Sequence, residues 1–110
     1  MKILVIEDDP AFKVLVSCIV KTAVSGLLDL VVAENVSEAQ AAIDKNVDLV
    51  ISDYDFGGGG FPALLPSIAS LEVDYVVMSS AERPDVIQER FIPKSRIVEG
   101  LVRKILSLSA

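Results

Sequence analysis

At 110 residues the chain has the length of one domain with a single core, and 52% hydrophobic residues with a mean hydropathy of +0.54 exclude a disordered segment. A net charge of -6 argues against direct nucleic-acid binding, which draws on a basic face. The absence of histidine excludes a histidine base, a histidine metal ligand and a phosphohistidine carried by this chain.

No apolar run reaches bilayer-spanning length, and Glu7 interrupts the opening run too early for a signal peptide. A soluble cytoplasmic protein without membrane contact is therefore expected. The single cysteine, Cys18, lies among apolar residues and reads as a buried structural thiol in a reducing compartment.

Residues 2–6 read as a first strand. Asp9 then stands at the N-cap of a helix with Pro10 at its first position, where its missing N–H is not needed. That helix is expected to run to about Val24, with Phe12, Leu15, Ile19 and Ala23 on its buried face. Val16, Val20 and Val24 border the polar stripe of Lys13, Ser17 and Lys21, an apolar flank that points either to mere excess hydrophobicity or to contact with a second copy. Residues 28–33 read as a second strand. The pattern Ser37-Glu38-Ala39-Gln40 resembles a capping box and predicts a short helix to about Lys45.

The run Asp48-Leu49-Val50-Ile51-Ser52-Asp53 is short, rich in β-branched residues and bounded by turn signals. It predicts a strand buried on both faces that ends on a carboxylate. Gly57 to Gly60 lack the lysine of a P-loop and the spacing of a dinucleotide fingerprint, so they read as a loop without phosphate chemistry. Pro62 and Pro66 bracket a third helix expected to be short or late-starting, because proline interrupts a helix interior. Residues 75–79 predict a fourth buried strand. Residues 84–90 have room for only a turn or two of helix, and Phe91-Ile92-Pro93 predicts a short fifth strand followed by Lys94. Ser95 is placed to cap a last helix whose core face is Val98, Leu101, Val102, Ile105 and Leu108. Alternating strands and helices without an internal repeat predict a doubly wound parallel α/β fold.

In such sheets ligands bind beyond the carboxyl ends of the strands. There the chain places Glu7 and Asp8 after the first strand, Asp53 at the end of the third, Ser80 after the fourth and Lys94 after the fifth. Each has an ordinary explanation as a cap or a solvated terminus. Together they put three carboxylates, a hydroxyl and an ammonium on one rim. Crowded carboxylates repel, and a hard divalent cation relieves the repulsion; oxygen ligands without histidine or cysteine suit Mg²⁺. An ionised aspartate is also a nucleophile toward phosphorus, a reaction that needs the phosphoryl oxygens neutralised.

The order of Val5-Ile6-Glu7-Asp8-Asp9-Pro10, Asp48-Leu49-Val50-Ile51-Ser52-Asp53, Ser80-Ala81 and Phe91-Ile92-Pro93-Lys94 resembles the receiver domain of two-component response regulators. The resemblance covers nearly the whole chain and implies one receiver domain over residues 1–110. It implies a flavodoxin-like five-stranded parallel sheet of order 2-1-3-4-5 with helices on both faces. By the same resemblance Asp53 matches the phosphoacceptor, Asp8 the direct Mg²⁺ ligand and Glu7 the acidic neighbour acting through water. The backbone carbonyl of Asp55 matches a further metal ligand. Ser80 matches the switch hydroxyl, Lys94 the phosphate-binding lysine and Phe91 the switch aromatic. Asp55 and Glu82 match positions that tune hydrolysis of the acyl phosphate.

The resemblance further implies a phosphoryl group received from a sensor histidine kinase or a histidine phosphotransfer protein, and output to a downstream protein or to an effector domain outside this chain. No enzymatic activity is implied beyond the chain's own phosphorylation and dephosphorylation. The chain departs from the pattern in two places. The intervals from Asp53 to Ser80 and from Ser80 to Lys94 are both short, so the fourth helix is expected to be short or missing. Ser95 also follows Lys94 where proline is common.

Two other readings fit the residues. One is a phosphorylation-independent interaction or dimerisation domain, suggested by the reduced fourth-helix region and the apolar flank of the first helix. The other is a small aspartate-nucleophile phosphatase, because Asp53-Tyr54-Asp55 resembles the nucleophile motif of haloacid-dehalogenase-type enzymes. In those enzymes, however, the motif lies on the first strand and the acidic pair comes last.

Overall fold

The computed structural model describes residues 1–109. The elements are β1 (Lys2–Ile6), α1 (Pro10–Ala23), β2 (Asp29–Ala33), α2 (Val36–Ala42), β3 (Leu49–Asp53), α3 (Gly60–Leu71), β4 (Tyr75–Ser79), β5 (Phe91–Pro93) and α4 (Ile97–Ser109). All strand pairs are parallel, in the order β2-β1-β3-β4-β5. This is the expected flavodoxin-like topology.

Alternation along the strands divides the core in two. Ile3, Val5, Leu49, Ile51, Val76 and Met78 face α1 and α4. Leu4, Ile6, Val50 and Val77 face α2 and α3. Every residue of β3 is buried, as its apolar run requires. Among the described residues no helix is long and apolar enough to cross a membrane.

Asp9 caps α1 as expected, its carboxylate accepting a bond from Ala11 N–H at 3.3 Å, with Pro10 in the first turn. The buried face of α1 is rotated from the expected one. Val16 and Val20 are fully buried, Val24 packs against the same core, and Leu15 is 40% exposed. So many positions of this helix are apolar that its pattern leaves the phase ambiguous, and packing against α4 decides it. The apolar flank offered for a second copy is therefore core. Cys18 is exposed, not buried, because it falls outside that rotated face.

Helix α2 begins earlier than expected. Asn35 is the cap, accepting from Glu38 N–H at 2.8 Å, while the Glu38 carboxylate accepts from Glu34 N–H at 2.8 Å. The helix also ends at Ala42 and does not reach Lys45. Pro66 lies inside α3, contrary to expectation. Its ring is on the solvent side, and burial of Phe61, Leu64 and Ile68 offsets the lost hydrogen bond. In α4, Ile97 is buried and Val98 is exposed, so the core face starts one residue earlier than expected. A 3₁₀ turn over Lys94–Arg96 leads into that helix.

No α-helix lies between β4 and β5; the link holds one 3₁₀ turn, Gln88–Arg90. Arg90 fastens this link. Its guanidinium donates to the Asp74 carboxylate at 2.7 Å and to the Tyr75 carbonyl at 3.0 Å, and lies 4.2 Å above the Tyr75 ring. Lys104 of α4 reaches the other Asp74 oxygen at 2.8 Å. Burial alone would raise the Asp74 carboxyl, but these two cations hold it below its ordinary value. The link borders an open cleft of about 620 Å³ lined by Arg83, Val86, Phe91 and Pro93.

Candidate functional site

Parallel register sets the height of each side chain on the rim. Ile6 is level with Ser52, so Glu7 follows at the level of Asp53. Asp53 pairs with Met78 and Ser79 with Pro93, so Ser80 and Lys94 rise just beyond. Carboxylate oxygens of Glu7, Asp8 and Asp53 all lie within 4.8 Å of one another. Lys94 Nζ is 3.3 Å from Asp53 Oδ1 and 3.5 Å from Glu7 Oε1. The same ammonium lies 4.3 Å above the Phe12 ring, which restrains the lysine stem from the α1 side.

Glu7 is the unusual member. It is fully buried, and neither carboxylate oxygen has a hydrogen-bond partner among the described residues. Burial, reinforced by the negative charge of Asp53, pushes its carboxyl up to about 7, against the opposing pull of Lys94. An orphaned buried carboxylate is costly unless something compensates it. A divalent cation held also by Asp8 and Asp53 is such a compensation, since octahedral Mg²⁺ spans roughly 4 Å between opposite oxygens. Asp8, being exposed, leaves the site open to water and a phosphate ligand. The residues present thus fit Mg²⁺.

Asp53 is only 7% exposed, and its Oδ1 accepts from Tyr54 N–H at 2.9 Å, which fixes one carboxylate oxygen. The tight return of the chain after it depends on Gly60. There φ is +69°, and a Cβ would come within 2.6 Å of the Tyr54 carbonyl oxygen, which accepts from Phe61 N–H at 2.9 Å. Gly57 to Gly60 thus shape the loop beyond Asp53, in keeping with their lack of a phosphate motif.

No protein-family model matches this sequence, and neither does any curated protein. Solved structures do match. The receiver domain of the hybrid histidine kinase CckA superposes with a TM-score of 0.78 at 21% identity, over 100% of both chains. A LuxR-family DNA-binding response regulator from Staphylococcus aureus gives 0.81 at 19%, over 99% of this chain and 98% of its own. The HemR receiver domain from Leptospira biflexa gives 0.75 at 24%, over 99% and 94%. The fold is the response-regulator receiver fold.

Within this receiver fold the expected site residues divide into two groups. Glu7, Asp8, Asp53 and Lys94 converge. Ser80 is exposed and its hydroxyl has no hydrogen-bond partner among the described residues. Phe91 is half-buried beside the open cleft, and Glu82 is exposed. The Asp55 carboxylate is drawn outward to Arg83 Nη2 at 2.6 Å.

Contacts made by Arg83, Tyr54, Ser79, Asp85 and Phe12 are not legible in the sequence. Arg83 stacks 4.2 Å above the Tyr54 ring and donates through Nε to Ser79 Oγ at 3.1 Å. The Tyr54 hydroxyl donates to Asp85 Oδ2 at 2.6 Å. Phe12 packs against the core beneath α1, and its ring is also the platform under Lys94. The charged residues Glu82, Arg83 and Asp85 cluster in the sequence, but nothing there links them to partners on another loop.

Proposed function

We propose that this chain is a phosphoacceptor switch of a two-component phosphorelay. The carrying observation is that Lys94 stands between the carboxylates of Asp53 and Glu7, 3.3 and 3.5 Å away, at the edge of the acidic cluster. An Asp53 carboxylate oxygen attacks the phosphorus of a phosphohistidine on a sensor kinase or phosphotransfer protein. The O–P bond forms as the N–P bond breaks, and the imidazole leaves. Lys94 neutralises phosphoryl oxygens, and Tyr54 N–H holds the other carboxylate oxygen in place.

Mg²⁺, held by Glu7, Asp8, Asp53 and the backbone carbonyl of Asp55, would supply the remaining charge neutralisation. Ser80 turns toward the phosphoryl group and Phe91 changes packing, altering the surface seen by a downstream partner. The only chemistry catalysed is the gain and loss of this group, with Asp55 and Glu82 modulating the loss. A soluble cytoplasmic setting follows from such partners.

The test is intact mass after incubation with acetyl phosphate and Mg²⁺, beside Asp53→Asn and a metal-free control. A single phosphoryl adduct lost in both controls supports the switch. No adduct on the folded wild type contradicts it.

The lack of an α-helix between β4 and β5 favours a second reading, a receiver-fold interaction domain that ignores phosphorylation. It expects no adduct and only weak Mg²⁺ binding. The phosphatase reading draws no support from Asp55, whose carboxylate is engaged by Arg83.

A further inference from the structure

Side chains tie the loop after β3 to the loop after β4, and Arg83 makes most of the contacts. Arg83 contacts Asp55 and Tyr54 on the first loop and Ser79 at the end of β4. Tyr54 returns the tie by donating to Asp85. The Ser79 hydroxyl oxygen, itself 4% exposed as a residue, accepts from both Arg83 Nε and Ala81 N–H, the latter at 3.2 Å. These bonds flank Ser80, which is exposed and whose hydroxyl makes no hydrogen bond among the described residues.

We propose that Arg83 is a positioning residue that holds the Ser80 turn open, and so sets how readily the pocket closes over a phosphoryl group on Asp53. The inference rests on the switch reading above. Rotating Ser80 inward requires residues 79–81 to re-form, and Ser79 Oγ is the acceptor that both Ala81 N–H and Arg83 share. The guanidinium makes this tie specific. Its planar fork engages a carboxylate, a hydroxyl and an aromatic face at once, which an ammonium does not reproduce. Partly exposed contacts of this kind are individually weak, so the tie biases an equilibrium and does not lock it.

The test is calorimetric titration of the Mg²⁺-loaded protein with beryllofluoride, a phosphoryl mimic, for wild type, Arg83→Ala, Arg83→Lys, Ser80→Ala and the Arg83→Ala/Ser80→Ala double variant. Arg83→Ala is expected to bind roughly three- to tenfold more tightly than wild type, and Arg83→Lys more tightly by a smaller factor. In the Ser80→Ala background the gain should vanish, which a merely structural role would not produce. If Arg83→Ala does not fold, Arg83→Lys carries the same comparison.

Equal or weaker binding by the Arg83 variants, with wild type binding normally, overturns the inference and leaves the switch reading standing. A gain that persists undiminished without the Ser80 hydroxyl also overturns it. Failure of wild type to bind beryllofluoride at all removes both.

Discussion

Lys94 lies 3.3 Å from Asp53 although it follows β5 whereas Asp53 ends β3, with β4 between the two strands. The lysine crosses that strand at the rim, flanked by the Phe12 ring and the buried Glu7 carboxylate. Its charge is thus delivered to one point. Replacing it by alanine should slow phosphoryl transfer from acetyl phosphate at least about a hundredfold while the fold persists. Stopped-flow rates and circular dichroism on Lys94→Ala check both halves.

Glu7 makes stability depend on pH. Its carboxyl rises from an ordinary 4.5 to about 7 in the fold, chiefly through burial. The folded state therefore binds the proton more tightly than the unfolded chain. This stabilisation is complete below about pH 4.5 and is lost as pH rises through about 7. Glu7→Gln should remove that loss and be more stable than wild type by about 2–3 kcal/mol at pH 8 without metal. Urea unfolding between pH 5 and 8 checks it. Adding Mg²⁺ should raise wild-type stability at pH 8 more than that of the variant.

Asp74 secures the link that replaces a helix. Asp74→Asn weakens the contacts with Arg90 and Lys104 and should lower stability by about 1 kcal/mol at neutral pH, several degrees in Tm. Because the folded carboxyl is held below its ordinary 3.8, its contribution is present above that value and fades as pH falls through the depressed one. The difference between variant and wild type should shrink accordingly in acid.

Gly60 is intolerant of a side chain. With φ at +69° and the Tyr54 oxygen 2.6 Å from the Cβ position, Gly60→Ala should cost about 2–3 kcal/mol. Thermal unfolding measures it. Mg²⁺ affinity should also fall, since the strained loop carries Asp55 and follows directly on Asp53.

What the residues revealed in advance followed the physics of short parallel strands. The apolar runs of β1, β3 and β4 are buried, and a charged residue at a strand end has nowhere to go but the rim, so Glu7, Asp8, Asp53 and Lys94 are legible together. The phase of α1 was not, because Val14, Leu15, Val16, Ile19 and Val20 satisfy more than one helical face. Pro66 misled because its cost is local whereas the burial that offsets it is tertiary. Arg83 was invisible for a different reason. Its partners Asp55 and Tyr54 lie on another loop, and no periodicity links an arginine in one loop to a carboxylate in the next.

If Asp53 is the phosphoacceptor, its side chain alone becomes an acyl phosphate. The most direct measurement is to treat the Mg²⁺-loaded chain with acetyl phosphate, reduce any acyl phosphate with borohydride, and map the peptides by mass. Homoserine is expected at position 53, with unaltered carboxylates at Glu7, Asp8 and Asp55. Reduction at one of those positions, or nowhere in a protein shown to be folded, would contradict it.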